Sequence, residues 1–91
     1  MSSKYFAVKR DLDLLKMRCN SQRYFVYEGG LWSADFNLLN MISHSQDGDI
    51  LLDANHTPCK ISDIKDFYQT AKQTQQKVLN EYQAEYQKIV Q

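Results

Sequence analysis

Apolar and polar positions change period several times along the chain. Lys4-Tyr5-Phe6-Ala7-Val8-Lys9 is rich in β-formers and bounded by charges, which predicts a strand. From Asp11 to Cys19, Leu12, Leu15 and Cys19 share a helical face, while Leu12 and Leu14 also fit a period of two; the helical spacing predicts a short helix that Asn20-Ser21 breaks. Arg23-Tyr24-Phe25-Val26-Tyr27 predicts a second strand. Glu28-Gly29-Gly30 tolerates positive φ and turns the chain back into Leu31-Trp32 as a tight hairpin. Ser33 or Asp35 can cap the next segment, where Phe36, Leu39 and Ile42, flanked by Leu38 and Met41, predict an amphipathic helix ending near 43–45. Asp47-Gly48 then leads into the apolar strand Asp49-Ile50-Leu51-Leu52-Asp53. The turn cluster Asn55-His56-Thr57-Pro58 returns it as Cys59-Lys60-Ile61, a second hairpin.

Beyond Ser62, a plausible N-cap with Asp63 and Asp66 in or beside the first turn, neither Gly nor Pro interrupts the sequence up to Gln91. Helix formers dominate, and Ile64, Tyr68, Ala71, Val78, Tyr82 and Ile89 follow steps of three, four or seven. Gln75 and Glu85 occupy two places in that stripe that should be apolar, while Phe67, Leu79, Tyr86 and Val90 widen it. A helix of about 28 residues is roughly 42 Å long, whereas a compact chain of this size has a radius of gyration near 12 Å. The distal part of a 62–90 helix is therefore expected to protrude and to need a partner. Val78, Leu79, Tyr82, Tyr86 and Ile89 are the candidate partner-binding residues.

The 91 residues allow one domain, 1–91, of class α+β: a small antiparallel sheet of hairpins, one short helix and the long C-terminal helix. Formal charge is zero, so no long-range field draws the chain to nucleic acid or an anionic membrane. Its distribution is uneven, because residues 1–30 carry six basic and three acidic groups while the remainder carries five and eight. No apolar run approaches the roughly 20 residues of a membrane span. The first residues lack the apolar core of a secretory signal, so the expected compartment is reducing, with both cysteines free.

Candidate chemistry is sparse. His44, His56, Cys19 and Cys59 make a two-His, two-Cys set, but only His56 and Cys59 are closely spaced, whereas structural zinc sites present two close pairs. Cys59 near His56 has no third group to orient an imidazole, and Asp47-Gly48-Asp49 with Asp53 lacks the spacing and terminal Glu of a calcium loop. The reading is therefore no catalytic residue, no metal and no cofactor. Tyr5, Tyr24 and Tyr27, each near a basic residue, form an alternative sheet-face binding set of the kind that stacks bases, although the zero net charge argues against nucleic acid.

Gly48-Asp49-Ile50-Leu51-Leu52-Asp53-Ala54-Asn55 through Pro58-Cys59-Lys60-Ile61, followed by a long polar helix, resembles the C-terminal module of small bacteriophage tail-fibre and virion-associated proteins. The Tyr24 to Trp32 hairpin and the helix after Asp35 resemble what precedes that module, so the resemblance spans residues 22–91; residues 1–21 have no counterpart in it. It implies a phage structural or accessory protein in the virion or host cytoplasm, acting by protein–protein assembly with itself or with a larger viral or host complex. No catalytic residue comes with it. The alternative is a small phage regulator that binds a host protein or nucleic acid through the aromatic sheet face.

Overall fold

The computed structural model describes residues 2–90, with side chains from residue 7 onward. Helix α1 spans Ser2–Gln22. It is followed by strands β1 (Tyr24–Tyr27) and β2 (Gly30–Ser33), helix α2 (Phe36–Ser43), strands β3 (Ile50–Leu52) and β4 (Pro58–Lys60), and helix α3 (Ile64–Val90). The α+β class, both hairpins, the short helix and the long C-terminal helix are as the residue pattern predicts. The N-terminus differs. Residues 4–9, expected as a strand, lie in α1, which also runs straight through Asn20-Ser21. The physical reason is tertiary: Leu15 and Cys19, four apart on one helical face, are buried against Val78 of the last helix together with Tyr82 and Ile89, a contact that a strand at the start of the segment could not continue.

β1 and β2 pair antiparallel with Tyr27 opposite Gly30, leaving Glu28 and Gly29 as a two-residue loop. Both loop residues have positive φ, 51° and 75°, as a turn matched to the strands' right-handed twist requires. β3 and β4 pair antiparallel with Leu51 opposite Cys59. The hairpins form two separate two-stranded sheets, tied by backbone: the Ala54 N–H donates to the Leu31 carbonyl at 2.7 Å. Gly30 sits at this junction, where a Cβ would fall 2.8 Å from the Cys59 Sγ and 3.0 Å from the Trp32 Nε1. Only hydrogen fits there.

The main core gathers Trp32, Leu38, Leu39, Ile42, Cys59, Ile61, Phe67 and Ala71. Phe67 is its hub: Trp32 meets it edge-on at 4.8 Å between centroids and Tyr27 stacks on it at 4.7 Å. Such aromatic pairs add about 0.5–1.5 kcal/mol each beyond the area they bury. Phe67 is wholly buried while Tyr68 is 37% exposed, so the inner stripe of α3 runs through Phe67 and not, as the heptad reading had it, through Tyr68. Asp35 caps α2 by accepting from the Leu38 N–H at 2.8 Å. At the start of α3 it is Asp63, not Ser62, that accepts the Asp66 N–H, at 3.1 Å, and Asp47 accepts the Ile64 N–H at 2.9 Å from across the turn.

A second, smaller cluster of Leu15, Cys19 and Val78, with Tyr82 and Ile89 packed against it, lies outside that body. Here α1 runs back along the distal half of α3. Leu15 shares a groove with Glu85 and Ile89, and Gln22 shares one with Thr74 and Val78, so the two helices are antiparallel. The molecule measures 56 × 21 × 19 Å with a radius of gyration of 16.5 Å, against about 12 Å for a compact chain of this length. A compact body thus carries a two-helix stalk.

Candidate functional site

The distal half of α3 is covered on one side by α1, and this corrects the expectation of a protruding single helix. The greasy stripe does need a helix beside it, and the chain supplies one. Val78 is buried, Tyr82 and Ile89 are half-buried, and all three pack with Leu15 and Cys19. Of the five candidate residues, Val78, Tyr82 and Ile89 are therefore seam residues within the molecule. Leu79 and Tyr86 remain in water at 44% and 40% exposure, joined by Val90 at 48%. Steps of seven and four place these three along one flank of α3, beside the seam. The Tyr86 ring stacks on Tyr82 with 6.0 Å between centroids.

On α1, Leu14 and Met17 are exposed as well. Two helices packed on each other bury one stripe each, so apolar residues outside those stripes have no cover within a two-helix stalk. The stalk's core is correspondingly thin: among the residues whose side chains are described, three are buried in it, against eight in the body.

The alternative sheet-face set does not assemble. Tyr5 lies on α1. β1 turns Tyr24 outward and Tyr27 inward onto Phe67, because residues three apart on a strand point to opposite faces. What the outer faces of the hairpins do present is aliphatic: Val26 on β1, and Ile50 and Leu52 on β3, all exposed. Sequence reasoning missed this surface because these residues were read as strand-formers without assigning their face.

Two carboxylates hold structural posts. Asp53 accepts backbone N–H groups from Leu31 at 2.9 Å, Thr57 at 2.8 Å and Asn55 at 2.9 Å, which keeps its carboxyl below the usual carboxylate range. Asp66 accepts the Tyr27 hydroxyl at 2.7 Å. Partial burial, with that bond and the nearby negative charge, pushes the Tyr27 phenol up to about 12. Cys19 and Cys59 are both buried and free, in different clusters. Among the described residues no three His, Cys, Asp or Glu side chains converge as metal ligands would, and no helix is long and apolar enough to cross a membrane.

Compared with known proteins, the chain matches no family model, no curated protein and no solved structure.

Proposed function

We propose that the protein works without catalysis, as an assembly module whose helical stalk joins a second copy of the chain. The observation that carries this reading is the uncovered flank of Leu79, Tyr86 and Val90, with Leu14 and Met17 on the neighbouring helix. A second helical pair is the cover that such a flank fits, because four helices enclose a core that two cannot. Aromatic residues with a polar tip suit a contact that is wet before assembly and dry after it. The setting in this proposal is a bacteriophage virion or its host's cytoplasm, as a structural or accessory component; its support is the resemblance of residues 22–91 alone.

Light scattering tests it. The wild-type mass is expected to rise with concentration toward twice the 10.7 kDa of one chain. Leu79→Asp with Tyr86→Asp is expected to weaken the dimer by about 100-fold or more, since each buried large side chain is worth about 1.5–3 kcal/mol. Helical circular dichroism should hold, because both side chains lie off the seam with α1. A wild-type chain that stays monomeric at millimolar concentration would overturn the proposal.

The second reading, a regulator that binds a host protein, draws support from the outer hairpin faces, where Val26, Ile50 and Leu52 are exposed beside Tyr24. Their aliphatic character suits a protein surface better than stacked bases. Absence of a gel shift with single-stranded RNA and DNA at low salt and micromolar protein would set the nucleic-acid form aside.

A further inference from the structure

We infer that two copies meet head to tail: the stalk of each lies along the body of the other, with the two α3 helices antiparallel and Leu79 near the two-fold axis. Resting on the reading that the α3 flank is where copies meet, the arrangement fixes which way the second copy runs and what it touches.

The flank does not stop at the stalk. Tyr68, at the body end of α3, stands eleven residues before Leu79, three turns back on the same line, so Tyr68, Leu79, Tyr86 and Val90 mark one exposed ridge along the whole helix. Beside Tyr68 the ridge opens into a groove between α2 and α3, lined by Phe36, Leu39, Asn40 and Lys72. Phe36 stands 75% exposed at its rim. The charged residues of the distal α3 keep clear of the ridge: Lys77, Glu81, Glu85 and Lys88, at steps of four, four and three, follow the opposite flank, while Gln76 and Gln83 border Leu79. Two such ridges pack together without burying a charge from either stalk.

Charge sets the direction. The stalk, residues 2–22 and 71–90, carries eight basic and four acidic side chains, and the body, residues 23–70, carries three and seven, so a chain neutral as a whole is +4 at one end and −4 at the other. These ends divide a molecule 56 Å long. Two copies side by side and parallel would set +4 against +4 and −4 against −4, whereas antiparallel copies bring each stalk to the other's body. Pairing α3 with its antiparallel twin about Leu79 sets Tyr86 opposite Lys72 and Val90 opposite Tyr68, so the distal end of each α3 enters the groove beside Phe36 of the other copy. The helical pair that covers each stalk is then α2 and the first half of α3 from the second copy. A two-fold axis closes the assembly at two chains.

The test is sedimentation equilibrium on the full chain. Phe36→Asp changes a residue outside the stalk, and a carboxylate in the first turn of α2 suits the helix dipole, so the helix is kept. It is expected to raise the dimer dissociation constant about ten-fold or more, the loss of one large apolar contact. An unchanged constant, where Leu79→Asp with Tyr86→Asp breaks the dimer, overturns the head-to-tail arrangement and leaves association through the stalk standing; a wild-type chain that is monomeric at millimolar concentration overturns both. Salt reads the charge pairing: between about 0.01 M, where the Debye length is about 30 Å, and about 1 M, where it is about 3 Å, the wild-type constant is expected to rise about ten-fold. A constant that falls with salt, as like-charged ends relieved of repulsion would give, overturns the arrangement. In a third arm, Val90→Cys and Phe36→Cys chains are mixed and oxidised with diamide. A band of twice the chain mass holding one chain of each kind is expected, and Val90→Cys chains that link to their own kind instead overturn it.

Discussion

Among the described residues, Asp53 accepts more backbone N–H groups than any other side chain, three in all. Its carboxylate joins the two hairpins by accepting the Leu31 N–H and rigidifies the β3–β4 turn by accepting those of Asn55 and Thr57. His56, held at φ 62° in that turn, depends on this clamp, since a non-glycine residue pays for positive φ. Because the folded carboxyl is held below its unfolded value near 3.9, its contribution is complete above that pH and is lost as pH falls through the folded pKa. The denaturation midpoint is expected to fall on acidification below about pH 4, and Asp53→Asn to lower it at neutral pH while flattening the acid dependence. The Tyr27 phenol works in the opposite sense. With its folded pKa raised to about 12, it stabilises the fold below pH 10, and that contribution fades as pH rises from 10 toward 12. Absorbance titration near 295 nm should resolve one late tyrosine, which Asp66→Asn brings forward.

Among the elements, the two hairpins and the short helix were legible because their signals are local. Glu28-Gly29 dictates its turn, and Asp35 caps the helix that follows. α3 was legible as a helix, but its cap and its inner face were not. Ser62 and Asp63 are both good caps by residue type, and the choice falls to Asp63 because its carboxylate lies three residues before the Asp66 N–H. Asp63→Ala is expected to cost about 1 kcal/mol of unfolding free energy in urea titration, and Ser62→Ala only a few tenths. Phe67 wins the inner face from Tyr68 because a ring without a polar tip needs no hydrogen-bond partner where it sits wholly buried among Trp32, Phe25 and Tyr27. α1 was misread because Tyr5, Phe6 and Val8 favour strands over a short window, while the stripe through Val8, Leu12, Leu15 and Cys19 becomes visible only when both halves of the segment are taken together.

For the molecule as a whole, missing α1 had one large effect: the distal α3 stripe was recognised as needing cover, and the cover was sought outside the chain. What remains exposed is the flank, not the stripe. The uneven division of buried residues between body and stalk also predicts two tiers of stability. In native-state hydrogen exchange, amides of α1 are expected to open with a lower free energy than those of α3 around Phe67 and Ala71, and Leu15→Ala should lower the first tier while leaving the second nearly unchanged. A single uniform opening energy across both helices would show instead that the stalk and the body melt as one unit.

An outline nearly three times as long as it is wide also governs how the protein travels through liquid. Drag on such a shape exceeds that on a sphere of equal mass, so a sizing column calibrated with round standards will release even the lone chain early, in the position of something heavier. Stokes radius therefore cannot count copies here; only a technique that weighs the particle, by scattering or by sedimentation to equilibrium, can separate one slender chain from two.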